Sequence, residues 1–267
     1  MRRVQLDASW PESWKVSYSY DLLEVYGEGK DYGFSRAYLN RQKHTLAALH
    51  RFVPRGGRIL DIAAAQGNFS LLLAEEGYLI TWNDLRAELA GYVEMKREFG
   101  GIVYAPGNVF DLQFAQPFDA VLITEIIEHV AHPDRFLTQV AQLVKPGGHI
   151  VMTTPNGAYF RNTLPKFSDC PNPEQFEAVQ FKPNSDGHIF LLHPEEIKTL
   201  ISQLGVGLRE LELFTNPLSN GHVKTEVLLH LLPKVVVDKI ESMTALLPYW
   251  IRRRLSVHMI AVFERAA

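Results

Sequence analysis

The chain has almost no cysteine, no long apolar run and no excess of positive charge, and each shortage removes a class of protein. Cys170 is the single cysteine in 267 residues, so no disulfide can close within the chain, which suits a reducing compartment. No stretch reaches the roughly 18 uninterrupted apolar residues of a spanning helix. The N-terminus, MRRVQLDASWPESWKVSYSYD, holds no apolar core that could serve as a secretory signal. These absences predict a soluble, cytoplasmic protein. The formal net charge of −3 weighs against a nucleic-acid partner. Internal repeats and low-complexity blocks are missing too.

What is present is material for a core, 46% hydrophobic residues, laid out in a repeating order. From about residue 58, short β-rich runs alternate with longer helical patterns, the signature of a parallel sheet covered by helices. GRILDIA (57–63) reads as a first strand and NFSLLLAEEG (68–77) as its helix, closed by Gly77. YLITWND (78–84) is a second strand, with a helix over 85–99. GIVYAP (101–106) is a third, and FDAVLIT (118–124) a fourth, apolar enough to be buried on both faces. A helix from Pro133 to Val144 ends in KPGG, a stop followed by a turn. HIVMTTP (149–155) is a fifth strand. Residues 156–187, rich in Asn, Pro, Ser and Asp, contain no clear element, and a loop that long in a compact domain is functional or mobile. A helix at 194–204, a strand at 207–214, a helical region at 223–247 and a last strand, SVHMIAVFE (256–264), complete the pattern. One domain is expected, with an N-terminal lid segment (1–44), a cofactor-binding core (45–215), a helical insertion (216–255) and the last strand (256–267). The aromatic residues Trp10, Trp14, Tyr18, Tyr20, Tyr26 and Tyr32 serve either as a lid or as packing onto the sheet.

The first strand ends in Asp61-Ile-Ala63-Ala-Ala65-Gln-Gly67, an acid followed by three small residues. In an open α/β sheet, ligands bind at the carboxyl ends of strands, where small residues let the backbone come close. Asp84 stands 23 positions after Asp61, at the end of the second strand, placed to accept both hydroxyls of a ribose. Here the chain resembles the class I S-adenosylmethionine-dependent methyltransferases, whose first motif runs acidic-x-Gly-x-Gly-x-Gly. Ala63 and Ala65 replace two of the glycines. The likeness continues through Asp84, GNVFDL (107–112) and LVKPGGHIVMTTPN (143–156), over roughly residues 45–215. It implies a Rossmann-like, seven-stranded methyltransferase sheet with helices on both faces. It also implies S-adenosyl-L-methionine as cofactor, with Asp61 and the Ala63–Gly67 turn against the methionine part and Asp84 on the ribose. Asn108 and Val109 would meet the adenine edge, and Thr124 and Glu125 would close the pocket. Alanine is disfavoured at positive φ and adds a methyl, so a turn that needs φ > 0 there loses affinity or changes path. A nicotinamide Rossmann domain shares the strand, the small residues and the distant acid. The KPGG turn, TTPN and the closing helix–strand–helix–strand order favour the methyltransferase.

After the fourth strand comes TEIIEHVAHP (124–133). Glu125, Glu128 and His129 are spaced i, i+3 and i+4, so one helical turn would put all three on one face. Two carboxylates and an imidazole make a partial shell for Mg²⁺ or Mn²⁺. His188, beyond the long loop, is the candidate fourth ligand, and His132, His193 and His222 are alternatives that the sequence does not rank. His44, His50, His149 and His258 read as structural. The O-methyltransferases of ubiquinone biosynthesis carry Glu-x-x-Glu-His at this place. So do the small-RNA 2′-O-methyltransferases, with a later histidine resembling His188. In both, the likeness implies a divalent cation on neighbouring hydroxyls of the substrate. The favoured expectation is methyl transfer to a hydroxyl of a small molecule, with Glu128 and His129 catalytic. A metal-independent O- or N-methyltransferase with His129 as general base, an RNA 2′-O-methyltransferase and a non-catalytic scaffold are the alternatives.

The segment 223–255 is apolar, is broken by Pro233 and Pro248, and ends in Arg252, Arg253 and Arg254 beside Tyr249 and Trp250. Such a segment lies on an anionic membrane as a peripheral contact, walls a lipophilic substrate, forms a dimer interface, or packs as a core helix pair with snorkelling arginines.

Overall fold

The structure, a computed structural model, describes residues 1–28, 31–180, 187–202, 204–222 and 225–266. The expected loop at 156–187, the helix at 194–204, the helical region at 223–247 and the last segment therefore each fall partly outside the described residues. Two helices, α1 (Glu12–Glu24) and α2 (Tyr32–Phe52), precede the sheet. The alternating part follows as β1 (Arg58–Ile62), α3 (Asn68–Glu75), β2 (Leu79–Trp82), α4 (Leu89–Lys96), β3 (Ile102–Tyr104), β4 (Phe118–Thr124), α5 (Pro133–Leu143) and β5 (Val144–Pro155). Then come α6 (Pro194–Ile201), β6 (Val206–Phe214), α7 (Glu226–Leu231), α8 (Lys234–Ala245), α9 (Tyr249–Leu255) and β7 (His258–Arg265).

The seven strands lie in the order β3-β2-β1-β4-β5-β7-β6. Pairings from β3 to β5 are parallel, and β7 runs antiparallel to both β5 and β6. The chain steps outward from β1 to β3 and then returns to the other side of β1 with β4. The switch in direction therefore falls between β1 and β4, where an open sheet leaves a crevice beyond its carboxyl ends. The period-two pattern explains the two layers. Leu60, Ile62, Val121, Ile123, Ile150 and Met152 share one core with residues of α5 and α6. Ile59, Ala120, Leu122, Val151 and Val262 share the opposite core with α2 and α3. Each fully buried aliphatic side chain of this kind contributes about 1.5–3 kcal/mol.

The differences from expectation have local causes. KPGG, expected as a turn, lies within β5, and the strand absorbs it through Gly147 at φ 71° and a register shift against Phe118 and Ala120. The helix expected over 85–99 is cut to α4 because the Asp84 carboxylate accepts from the Arg86 N–H at 2.9 Å, holding the start in a turn. The 156–187 stretch holds two short 3-10 turns, Phe167–Asp169 and Pro173–Phe176. Most of the N-terminal aromatics pack rather than cover: Trp10 meets Trp14 and Tyr92 edge-on, and the Trp14 indole donates to the Glu88 carbonyl at 2.8 Å. No described helix is long and apolar enough to cross a membrane.

Candidate functional site

The turn after β1 is pinned from several directions. Ala63, Ala65 and Gly67 have φ of 51°, 47° and 71°. All three motif positions therefore take the left-handed conformation, and the two alanines keep the glycine path rather than rerouting it. The surroundings hold them there. Ala64 N–H donates to the Asn83 carbonyl at 2.8 Å, and Ala65 N–H to the Asp84 carboxylate at 2.9 Å. The Trp82 indole donates to the Ala65 carbonyl at 3.1 Å. The Lys96 ammonium, fully buried, donates to the Gln66 carbonyl at 3.0 Å. A Cβ on Gly67 would stand 2.8 Å from the methyls of Val93, so glycine is required there on both counts.

Asp61 is buried beneath this turn and accepts from the Ser70 hydroxyl at 2.6 Å, while its Oδ1 has no partner among the described residues. Burial raises its pKa to about 7 despite that bond, with the Asp84 carboxylate adding to the rise. Asp84 is bound by Arg86 through Nε at 3.0 Å and a terminal nitrogen at 3.1 Å. Asn108 is exposed and Val109 buried, and Asn108 caps the short turn Val109–Asp111. Asp61, the turn and Asp84 thus lie at the carboxyl ends of β1 and β2, and Asn108 and Val109 follow β3.

The stretch after β4 departs from the expected helix. Glu125 takes φ 54° and its N–H donates to the Thr153 carbonyl at 2.9 Å, so the sheet ladder runs on past Thr124. Only a single 3-10 turn, Ile127–His129, follows. Ile126, Ile127 and Val130 are buried in the core and fix its position. The three polar residues consequently do not share one helical face. The Glu125 carboxylate reaches Arg41 on α2 at 3.2 Å and lies 3.8 Å from the His258 ring. Burial alone would raise its pKa, but Arg41, together with the groups around it, holds it below the usual carboxylate range.

Glu128 is fully buried. One of its oxygens accepts from the Thr154 hydroxyl at 3.0 Å, and the other has no partner among the described residues. Burial, and then the nearby Glu125, push its carboxyl well above the ordinary range. The Ile189 N–H donates to the Glu128 carbonyl at 2.7 Å, and Ile189 and Phe190 pack against Ala131, Phe167 and Phe176. This apolar anchor delivers His188 to the site. Ligand atoms of Glu128, His129 and His188 all lie within 4.8 Å of one another. Glu125 is not brought into that group. Of the alternative histidines, His132 pairs with Glu177 at 2.7 Å, His193 precedes α6, and His222 lies 3.1 Å from the Tyr159 hydroxyl.

A cavity of about 970 Å³ opens beside these residues. Two walls come from α1 and α2, in and beside the segment expected as a lid. Phe34, Ala37, Tyr38 and Arg41 line it at i, i+3, i+4 and i+7 of α2, and Tyr20 and Glu24 at i and i+4 of α1. The signal that could have found them is an arginine on the inner stripe of an otherwise apolar helical face. His258, read as structural, also lines the cavity, and burial drops its pKa to about 4, so it is neutral at pH 7. His44, His50 and His149 pair with Glu212, Glu76 and Glu264, away from the cavity. Among the described residues, none of those in α7–α9 lines the cavity.

The strand order with its antiparallel β7, the left-handed turn after β1 and the acid at the end of β2 define the class I S-adenosylmethionine-dependent methyltransferase fold. The profile of the family described as "Methyltransferase domain" matches residues 36–211, and the chain belongs to that family. It is 34% identical over 110 residues to a ubiquinone biosynthesis O-methyltransferase of Xanthomonas axonopodis pv. citri (strain 306), a match covering 40% of this chain and 46% of the relative. The chain thus spans about half the length of the curated relatives it matches. Among solved structures, an S-adenosylmethionine-dependent methyltransferase from Mesorhizobium loti is similar with a TM-score of 0.52 at 16% identity, covering 82% of this chain and 96% of that one. The [4+2]-cyclase SpnF is similar with a TM-score of 0.56 at 15% identity, covering 99% and 100%. At such identities these neighbours speak for the fold alone.

Proposed function

We propose that the protein transfers the methyl group of S-adenosylmethionine to a hydroxyl oxygen of a small molecule seated beside Glu128, His129 and His188. The observation that carries this reading is the convergence of those three residues at the carboxyl end of β4, next to the β1 turn and open to the cavity. In the cofactor half, the left-handed turn brings backbone against the methionine part, with Asp61 beneath it. Asp84 exchanges its Arg86 contact for the ribose hydroxyls, Asn108 and Val109 border the adenine, and Thr124 and Glu125 close the sulfonium end. Arg41 keeps Glu125 ionised beside the cationic sulfur. In transfer, the acceptor oxygen forms a bond to the methyl carbon as the carbon–sulfur bond breaks and its electron pair stays on sulfur, while the hydroxyl proton passes to the His129 imidazole. S-adenosylhomocysteine is the other product. Holding oxygen, carbon and sulfur in line supplies much of the rate.

The residues present fit a divalent cation. Glu128 is buried with an oxygen that no described residue satisfies, and such a carboxylate is costly unless paired. One carboxylate with two imidazoles suits Mn²⁺ better than Mg²⁺. A bound cation supplies charge that makes an acceptor hydroxyl more acidic. Without one, His129 is placed as a general base. Mn²⁺ titrated into protein saturated with S-adenosylhomocysteine, read as free Mn²⁺ by electron paramagnetic resonance, is expected to show one tight site, lost in Glu128→Ala. No Mn²⁺ uptake, with transfer activity that survives chelator, sinks the cation and leaves the base.

A partner at the α8–α9 surface is proposed on charge and exposure. Val235, Leu246 and Trp250 are 76%, 84% and 69% exposed on α8 and α9, with Lys234, Lys239 and Arg254 exposed around them. That combination suits an anionic membrane surface. Cosedimentation with phosphatidylglycerol vesicles, weakened at least tenfold by Leu246→Glu with Trp250→Glu, is the expected result. Equal recovery in the supernatant with and without vesicles retires the contact.

A further inference from the structure

We propose that the methyl acceptor is a polyhydroxylated ring, a sugar or glycoside carrying neighbouring hydroxyls, and not a phenol with a long apolar chain. This deepens the hydroxyl-transfer reading above and rests on it. The first support is the chemistry of the cavity wall. Of 25 lining residues, only Phe34, Ala37, Pro155, Leu164, Leu191 and Val257 offer purely apolar side chains, and Gly221 offers none. The other 18 carry a hydrogen-bonding or charged group. A small-molecule site is ordinarily lined mostly by apolar residues with a few polar groups. This one carries many more polar side chains among its lining residues. An apolar chain placed here would strip water from these groups and return no hydrogen bonds, which is unfavourable for every group left unsatisfied.

Position adds to composition. Beside the Glu128 cluster, the Arg41 Nε donor, the Glu128 Oε1 acceptor and the His258 Nδ1 are buried with no hydrogen-bond partner among the described residues. A donor and an acceptor thus stand unpartnered on the wall of one cavity. A hydroxyl is the simplest group that both donates and accepts from one atom, and a ring of hydroxyls can meet both kinds. Farther along, the Tyr159 hydroxyl, His222 and Asn220 form a second polar run, with the Asn220 amide 2.8 Å from His222 Nε2. Interleaved with these, Tyr20, Phe34 and Tyr38 present aromatic carbon to the apolar face of a ring.

Charge narrows the class further. Arg41 is engaged by Glu125, and Arg161 is exposed. Against them stand Glu24, Asp31, Glu125 and Glu128, of which burial raises the carboxyls of Glu24 and Glu128. With Arg41 paired and Arg161 exposed, the wall offers a phosphate no buried, uncompensated cationic side chain, so the ring is neutral rather than a nucleotide or a phosphosugar. The volume of about 970 Å³ lies at the upper end for small-molecule sites. Of the cofactor-contacting turn only Gln66 borders it, and Glu125 marks the end that meets the sulfonium, so most of the space is left for the acceptor.

The test is calorimetric titration of methyl glycosides of rhamnose, mannose, galactose and glucose into the full chain saturated with S-adenosylhomocysteine and Mn²⁺. Radiolabelled methyl transfer to the same glycosides and to a prenylated catechol runs in parallel. His222→Leu serves as the wall variant, since His222 lies outside the Glu128 cluster and the cofactor half. Binding or methylation of a glycoside, with affinity or KM worsened at least tenfold in His222→Leu and S-adenosylhomocysteine affinity unchanged, supports the proposal. Intact S-adenosylhomocysteine binding with no glycoside bound, or with methylation of the catechol alone, overturns it while the methyl-transfer reading stands. Failure to bind S-adenosylhomocysteine removes that reading, and this inference with it.

Discussion

Ala63 and Ala65 hold left-handed backbone angles that cost an alanine about 1–2 kcal/mol each. The neighbouring hydrogen bonds over-determine the turn, which is the condition under which such strain persists. Replacing either residue by glycine removes the strain but frees the unfolded chain. The net expected gain is therefore below about 1 kcal/mol per site in chemical denaturation, with S-adenosylhomocysteine bound more tightly. Asp61 makes a second residue-scale prediction. Its carboxyl, raised to about 7, binds its proton more tightly in the folded chain than in the unfolded one. Stability is greatest below about pH 4 on this group's account and falls as pH rises toward 7, by a few kcal/mol in order of magnitude. Asp61→Asn keeps an acceptor for Ser70 and loses the charge. Melting temperatures of that variant should vary less between pH 5 and pH 8 than those of the natural chain, and cofactor affinity should drop. An unchanged pH profile would show that Asp61 does not titrate in this range.

At the scale of elements, α1 is joined to the cofactor turn by a buried polar network that no periodicity announces. Lys96 on α4 donates to Asp21 and to Asn68 at 2.6 Å each, and Asp21 also accepts from the Tyr92 hydroxyl at 2.7 Å. Glu24, one turn further along α1, accepts from the Gln66 and Asn68 amides at 2.7 and 2.9 Å. Removing one partner of a buried pair costs roughly 3–5 kcal/mol because the other charge is stranded. In Lys96→Met, hydrogen exchange is expected to accelerate across residues 12–24 and 63–68 together, with the central strands unaffected. Exchange confined to α4 would show that the network does not couple them. Sequence pattern reads Lys96 as a solvated helix residue, since nothing local reveals that Asp21, 75 positions away, closes over it.

For the molecule as a whole, the strands and their order of appearance were readable because burial on both faces writes them as apolar runs. β4, FDAVLIT, has its expected limits of 118 and 124. The acids at the ends of β1 and β2 were equally readable, because their place depends on the strand that precedes them. The cavity was not, since its walls come from Tyr20, Arg41, Glu125, Asn156, His222 and His258, which only the finished topology assembles. Glu125 shows the limit most clearly. Spacing alone grouped it with Glu128 and His129, whereas a positive φ and a distant arginine turn it elsewhere.

The position of β7 carries a consequence for how the chain comes into being. This last strand is inserted between β5 and β6, and Met259 to Phe263 are wholly enclosed there. A ribosome delivering residues in order leaves β6 without a neighbouring strand until β7 emerges. Until then β5 and β6 have no partner for their facing edges, and Glu125 lacks the His258 ring beside it. The fold therefore closes only after synthesis has passed this strand, and the nascent chain carries two open strand edges until that moment.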